Sequence, residues 1–156
     1  MSNWAALAAA EPEFADRVRR IFDAHRHKVL ATLRRDGSPR VSGIEVEFTD
    51  GELLMGMMPG SMKAQDLRRN PRLALHAVSE DPPQDDPSTW LGDAKIAGRA
   101  VEVTVAMDED EDEDEPVHRF KVDIVEVVLI QVGRPADHLL IESWHEGRGL
   151  ERKERR

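Results

Sequence analysis

A short stretch near the middle of the chain combines residue types that could bind an anion. An apolar run ends at Met58, Pro59 and Gly60 break it, and Ser61 follows. Serine is a good N-cap, because its hydroxyl accepts a hydrogen bond from a free backbone N–H in the first turn of a helix. The pair Asn70-Pro71 marks the end, since the residue before a proline is pushed out of helical space. We therefore predict a strand, a tight loop and a short helix that begins after Ser61.

Such a helix start is suited to phosphate. Its first turn has unpaired N–H donors and would contain Lys63, a cation that opposes the helix dipole unless an anion occupies the site. A short surface helix with a lysine for solubility would show the same pattern, so both interpretations stay open. A P-loop is excluded, because that motif needs Gly-Lys followed by Ser or Thr, whereas Gly60 is followed by Ser61, Met62 and Lys63.

Few other residues are spaced for catalysis. The chain has no cysteine and six scattered histidines. His25 and His27, like His138 and His145, are spaced so that the two rings diverge, and no metal site is predicted. The serines near glycine lack the Gly-x-Ser-x-Gly elbow of hydrolases, and no pair of carboxylates is spaced for general acid–base catalysis. A phosphate-type site without these groups suits a protein whose bound cofactor carries out the reaction.

The negative charge of the chain is concentrated in one segment. Residues 108 to 115 are eight consecutive acids, which leaves only −1 of the net charge of −9 for the rest of the chain. A block this dense repels itself and stays solvated, so we predict an acidic disordered insert over residues 107–116. The alternative, a calcium loop, would need a glycine and spaced ligands. We expect no nucleic-acid partner.

Length and hydropathy indicate one globular domain. A chain of 156 residues with 40% hydrophobic residues is long enough for one core. No apolar run reaches the ~18 residues of a membrane span, and the N-terminus lacks the basic start of a secretory signal. We expect a cytoplasmic protein without a membrane partner, with a single domain over residues 1–150 and a charged C-terminal tail over residues 151–156.

Hydrophobic periodicity predicts a mainly β fold. Residues 11–27 show the period of an amphipathic helix, which we expect to pack on the rest of the fold as a lid. Beyond it the period changes to two, and tight turns at 35–38 and 49–51 join the first three strands. The predicted strands are 29–33, 40–48, 52–58, 72–79, 94–105, 120–132 and 139–144. Antiparallel strands in this number indicate a barrel, because closure removes the sheet edges.

Five segments of the chain, in this order, resemble the pyridoxamine 5′-phosphate oxidase-like, FMN-binding split-barrel superfamily. They are 28–42, 50–53, 59–71, 92–99 and 141–148, and within the superfamily they look most like the flavin/deazaflavin oxidoreductase branch. The resemblance implies a six- to seven-stranded antiparallel split β-barrel with an N-terminal helix and a short helix after strand 3. It also implies a homodimer with two cofactor sites at the dimer interface.

The resemblance implies a phosphate-binding site at the start of the short helix. A Ser-Arg-Lys sequence grips the cofactor phosphate in such proteins, and Ser61, Met62 and Lys63 match it here. Met62 departs from the family's arginine, which removes a bidentate phosphate contact. Arg68 and Arg69 are the candidates to compensate for it.

The ring of the cofactor would lie between two strands. The strand after the first hairpin is expected to contribute backbone to the ring system at Val41, Ser42 and Gly43. The strand before the short helix is expected to line the other edge of the ring at Met57 and Met58. These are inferences from the resemblance, not from the residue spacing.

The resemblance implies FMN or a deazaflavin, coenzyme F-420, as the cofactor, and the choice stays open. The polyglutamate tail of the deazaflavin needs a basic groove, for which the candidates are Arg34, Arg35, Arg40, Lys63 and residues 148–156. The expected function is an oxidoreductase that transfers a hydride to a small conjugated acceptor. The alternatives are a non-catalytic protein that binds a flavin, haem or tetrapyrrole, and a purely structural dimerising domain.

Overall fold

The computed structural model describes residues 2–77, 80–103 and 117–156. These residues form three α-helices, one 3₁₀ turn at Pro87–Thr89 and eight β-strands. The helices are α1 (Trp4–Ala10), α2 (Pro12–Ala24) and α3 (Met62–Arg69). The strands are β1 (His27–Leu33), β2 (Pro39–Thr49), β3 (Glu52–Met57), β4 (Arg72–Ala77), β5 (Asp93–Glu102), β6 (His118–Val132), β7 (Leu139–His145) and β8 (Gly149–Arg155).

Six antiparallel strands close a barrel in the order β3-β2-β1-β4-β5-β6, and β6 pairs back with β3. The strands β7 and β8 continue the sheet beyond β6. Alternate side chains of the barrel strands turn inward, as the period of two requires, and most of these inward side chains are apolar. The fully buried ones include Leu30, Leu53, Leu75, Ile96 and Ile124. The predicted mainly β antiparallel barrel, with a short helix after β3, is confirmed.

The predicted N-terminal helix over residues 11–27 is α2, which is shorter at Pro12–Ala24, and a second helix, α1, precedes it. The unpredicted α1 begins earlier, because the Asn3 side chain caps it by accepting a hydrogen bond from the Ala6 N–H at 2.9 Å. A new helix starts at Pro12, since proline suits the first helical position. It ends at Ala24, where the chain turns extended toward β1. The buried face of α2 packs on the barrel end, as expected for a lid, with Phe14, Val18, Ile21 and Phe22 inside.

The charged segment at 151–156 is not a free tail. Residues 149–155 form β8, which pairs along its length with β7. Its side chains are mostly charged and exposed, so hydrophobic periodicity gave no signal of a strand. Backbone pairing holds it instead, together with an ion pair in which the Arg152 Nε donates to Glu142 at 2.9 Å.

Some predictions fall on parts of the chain that the structure does not describe. The acidic insert expected over 107–116 lies outside the described residues, as do residues 78–79 and 104–105 at the ends of two predicted strands. None of the described helices is both long enough and apolar enough to cross a membrane.

Candidate anion-binding site

The barrel opens between β2 and β3, next to the start of α3. The two strands pair through residues 46–49 of β2 and 52–55 of β3. Farther along, residues 54–57 of β3 pair with β6, while residues 39–45 of β2 pair only with β1 among the described strands. One edge of β2 is therefore left without a neighbouring strand, and its backbone is available to other groups.

The start of α3 has the geometry predicted for it. Ser61 is the N-cap, and its Oγ accepts a hydrogen bond from the Ala64 N–H at 3.3 Å. The backbone N–H groups of Met62 and Lys63 have no hydrogen-bond partner among the described residues. Two free donors at the positive end of a helix dipole form a site that favours an anion. The helix ends before Asn70, as the sequence indicated.

Lys63 connects this helix start to the open edge of β2. Its Nζ donates a hydrogen bond to the backbone carbonyl of Gly43 at 2.8 Å. An ammonium group has three N–H donors and can keep one on the carbonyl while the others face an anion. The structure thus brings together two segments that the sequence could only name separately, residues 41–43 and 61–63.

Open space lies over the backbone beside Lys63. A Cβ atom built on Gly43 or on Gly60 would meet no other heavy atom within 4 Å. The neighbouring Ser42 turns inward, and its Oγ is buried without a hydrogen-bond partner among the described residues. A ring placed over this strand would therefore meet the backbone of residues 41–43 and not the serine hydroxyl. This geometry fits a flat group with an attached phosphate.

Three large apolar side chains around the opening are exposed. Val41, Met58 and Met62 are 69%, 78% and 55% exposed, the highest values among the large apolar residues that the structure describes. Apolar side chains at such exposure, next to an anion site, are typical of a surface that another group covers. Met57 differs, because it is 2% exposed and belongs to the barrel core. Its side chain does not face the opening.

A buried carboxylate, which sequence analysis did not single out, fixes α3 on the barrel. Asp66 is 1% exposed. It accepts hydrogen bonds from Thr32 of β1 at 2.8 Å, Arg40 of β2 at 2.7 Å and Arg69 of α3 at 2.9 Å. Burial by itself raises the pKa of the Asp66 carboxyl, but the hydrogen bonds from Arg40, Thr32 and Arg69 outweigh it and hold that pKa below its ordinary value.

The two arginines considered as replacements at position 62 are bound elsewhere. Arg69 donates to Asp66 and to the Leu33 carbonyl, each at 2.9 Å. Arg68 forms a bidentate pair with Glu102, at 3.0 and 2.5 Å. Both lie in the last turn of α3, about 10 Å along the axis from its first residue at 1.5 Å per residue. Both guanidinium groups are engaged by carboxylates in the single chain, and compensation for Met62 by one of them stays a prediction.

His118, at the start of β6, contacts the loop that leads from β3 into α3. The Gly60 N–H points at its Nε2 at 3.3 Å, and Arg68 Nη2 lies 3.0 Å from its Nδ1. Gly60 and His118 are 58 positions apart in the sequence, which explains why the sequence gave no sign of this contact. Across the described parts of the chain, no three His, Asp or Glu side chains are grouped closely enough to hold a metal ion.

Comparison with protein families gives one clear match. The sequence pattern of the pyridoxamine 5′-phosphate oxidase family matches residues 14–136. No curated protein matches the chain. Sequence similarity to a family is therefore established over most of the chain.

Solved structures with the same fold are distant in sequence. A pyridoxamine 5′-phosphate oxidase-related, FMN-binding protein from Nostoc punctiforme PCC 73102 is 11% identical, with a TM-score of 0.63 over 94% of this chain and 96% of that one. PhzG from Burkholderia lata 383, in complex with tetrahydrophenazine-1-carboxylic acid, is 13% identical, with a TM-score of 0.65 over 93% and 92%. A heme-binding protein from Mycobacterium smegmatis is 14% identical, with a TM-score of 0.55 over 93% and 88%. At such identities the likeness shows the fold alone.

Proposed function

Because the chain belongs to the pyridoxamine 5′-phosphate oxidase family, we propose that it is an oxidoreductase that binds a flavin-type cofactor at the start of α3. The observation that carries this proposal is the contact between Lys63 Nζ and the Gly43 carbonyl at 2.8 Å. It joins a helix start with free N–H donors to an edge of β2 that no described strand covers, and this supports the proposal. An anion and a flat ring joined by a short linker need both features side by side.

The phosphate would be held by the first turn of α3. The free N–H groups of Met62 and Lys63 would donate to it, together with the Lys63 ammonium and the hydroxyl hydrogen of Ser61. The Ser61 Oγ already accepts from Ala64, so its own hydrogen remains available to donate. Charge-assisted hydrogen bonds of this kind are worth roughly 1.5–3 kcal/mol each.

The ring would lie over residues 41–43, with Val41, Met58 and Met62 covering its apolar parts. When bound, such a cofactor supplies the hydride, two electrons with one proton, and a second proton for the acceptor comes from water. The protein residues named here bind and orient the cofactor and keep water from its ring. A nicotinamide dinucleotide or a reduced deazaflavin would return the electrons. The acceptor is proposed to be small and conjugated.

Two features favour FMN over the deazaflavin coenzyme F-420. Glu45 and Glu47 follow Gly43 on the same outward face of β2, and these carboxylates would repel a polyglutamate tail. The basic groove that such a tail needs is also not formed by the candidate residues. Arg40 is already paired with Asp66. The basic segment 148–156 lies along β7, beside residues 126–132 of β6. His118, at the opposite end of β6, is the residue that contacts the helix start.

A homodimer is part of the proposal. A row of small apolar residues crosses four neighbouring strands in register on the outer face, with Val41 paired to Ala31, Ala31 to Ala74, and Ala74 to Ala97. All four are exposed or half-buried in the single chain. A flat surface of small side chains lets a second copy approach closely, and it begins at Val41, beside the proposed cofactor site. The partner would cover the ring.

The experiment is a titration of the purified full-length protein with FMN and with coenzyme F-420, followed by fluorescence. Binding of FMN in the micromolar range or tighter supports the proposal. A protein that binds neither cofactor contradicts it.

A second candidate is a non-catalytic protein that sequesters a flavin, haem or tetrapyrrole. The observation that favours it is the character of the opening, where the exposed side chains Val41, Met58 and Met62 are all apolar. Turnover separates the two candidates. Oxidation of a reduced nicotinamide dinucleotide or reduced deazaflavin with added acceptors indicates an enzyme, and its absence in the loaded protein indicates a binder.

A further inference from the structure

A cavity of about 310 Å³ lies on the outer face of the barrel where β2 and β3 diverge. Gly56 of β3 forms its floor, and residues of β2, β3 and the start of β6 form its walls. The residues that matter here are Glu45, Glu47, Leu54, Gly56, Val117 and Arg119. None of them belongs to the set proposed to hold the cofactor.

The cavity adjoins the proposed cofactor site on both strands. Glu45 follows Gly43 by two residues on the same face of β2, a distance of about 7 Å along a strand. Gly56 likewise precedes Met58 by two residues. A molecule in the cavity would therefore lie next to the ring placed over residues 41–43.

The lack of a side chain at Gly56 creates the space. A Cβ atom built there would meet a single atom within 4 Å, the Val117 Cγ1 at 4.0 Å, which is an ordinary contact distance. An alanine at this position would thus fit without displacing its neighbours, and a larger side chain would extend from there into the cavity. This makes the cavity one that a single substitution can fill in a folded protein.

The charge around the cavity is negative. The Glu45 side chain is 59% exposed and has only distant partners, Arg26 at 3.9 Å and His27 at 3.6 Å. Glu47 is exposed and forms no hydrogen bond or ion pair with any residue that the structure describes. Arg119, the one cation of the wall, already has an interaction of its own. Glu47 is therefore left to face a bound molecule, together with the exposed Glu45, whose pairs with Arg26 and His27 are long. Leu54 and Val117 offer the molecule an apolar surface.

We propose that this cavity holds the acceptor of the reaction, and that Glu45 and Glu47 select a planar acceptor that carries a positive charge or an amine over an anionic one. This inference rests on the proposed function, because the acceptor takes its hydride from the reduced cofactor and its second proton from water. Charge selection follows from Coulomb attraction to the two carboxylates, and ring selection from the apolar surface of Leu54 and Val117.

The test uses three ring compounds that differ mainly in charge: 1-methylnicotinamide, which is a cation, neutral nicotinamide, and nicotinate, which is an anion. Their dissociation constants are measured by calorimetry with the FMN-loaded full-length protein. We expect the cation to bind about tenfold or more tightly than the anion, because an exposed charge pair changes affinity by a few-fold and the anion turns that attraction into a repulsion of similar size. Glu47→Gln should reduce this ratio and Glu47→Lys should reverse it. Glu151→Gln, an exposed carboxylate on β8, should leave it unchanged.

Gly56→Val fills the cavity and is the decisive variant. It should bind all three compounds at least tenfold more weakly and keep the FMN affinity of the unmodified protein, with Gly56→Ala in between. Circular dichroism and the melting temperature check that the variant is folded. If Gly56→Val loses FMN as well, the cavity belongs to the cofactor and the inference is wrong. The inference is also wrong if the FMN-loaded protein shows no charge preference among the three ring compounds, or binds none of them below about 10 mM. A protein that binds these compounds but neither cofactor overturns only the proposed function.

Discussion

The ammonium group of Lys63 lies 2.8 Å from the backbone carbonyl oxygen of Gly43. This contact joins the first turn of α3 to the edge of residues 39–45 of β2 that no described strand covers. A single side chain thereby joins a helix start with free N–H donors to the backbone over which we propose that a ring lies. The first predictions test this arrangement.

Lys63→Ala should weaken FMN binding by about 1.5–3 kcal/mol, the value of a charge-assisted hydrogen bond. This corresponds to a dissociation constant roughly 10- to 150-fold higher. Fluorescence titration of the purified protein measures it. Lys153→Ala, on β8, removes the same charge away from the site and should have no effect. An unchanged affinity in Lys63→Ala would show that the phosphate is held elsewhere.

Met62→Arg should tighten FMN binding by a similar factor. The residue is 55% exposed at the first position of α3, so the larger side chain needs no space in the core. An arginine there adds a planar fork of donors that suits phosphate. Met62→Gln, which adds polarity without charge, is the control. Equal affinities in the three proteins would contradict a phosphate at this helix start.

Ser61→Ala should lower the free energy of unfolding by about 0.5–2 kcal/mol, because the helix loses its N-cap, and should also weaken FMN binding. Ser61→Asp separates the two effects. Aspartate caps a helix as well as serine does, so stability should return, while its charge should repel the phosphate. Denaturant unfolding and FMN titration measure them in parallel. Tight FMN binding by Ser61→Asp would argue against the site.

Asp66→Asn should destabilise the fold by about 3–5 kcal/mol, because it leaves two guanidinium groups without a buried carboxylate. The control is Asp16→Asn on α2, whose pair with Arg20 at 2.9 Å is exposed on both sides and is expected to contribute about 1 kcal/mol or less. Denaturant unfolding at neutral pH measures the free energy of unfolding of both variants. Similar losses in the two variants would mean that the Asp66 network does not hold α3 on the barrel.

The lowered pKa of Asp66 also predicts how the stability of the fold depends on pH. The pKa of Asp66 is lower in the folded chain than its ordinary value, so the unfolded chain takes up the proton first as the pH falls. Its stabilising effect is fully present above an ordinary carboxyl pKa of about 4 and is lost as the pH drops through the lowered folded value. The unmodified protein should therefore lose stability more steeply below that pH than Asp66→Asn.

Ala74→Glu should convert the proposed dimer to a monomer. Ala74 lies in the middle of the row of small residues on the outer face, and a buried unpaired carboxylate in the dimer would cost several kcal/mol. Light scattering after size-exclusion chromatography gives the mass. Ala9→Glu, on the exposed side of α1, is the control. A dimer that survives Ala74→Glu uses a different face.

The sequence by itself determined the strands of the barrel, the short helix and its N-cap. These features depend on local rules: a period of two for half-buried strands, a serine before a helix, and a proline after it. It missed α1, whose alanine-rich segment and Asn3 cap were visible signals, and it missed β8, whose charged residues have no hydrophobic period. A strand held by backbone pairing on an exposed edge leaves no such pattern.

Only the tertiary structure decided which residues meet. Lys63 and Gly43 are 20 residues apart, and Gly60 and His118 are 58 apart, and neither distance is encoded in local periodicity. The structure also showed that Met57 faces the core and that Arg68 and Arg69 are bound to carboxylates. The physical reason is that side-chain partners depend on strand register and closure of the barrel, which arise from packing of the whole chain. The residue types determine what kind of group the opening could bind. The fold determines which of those residues face the opening.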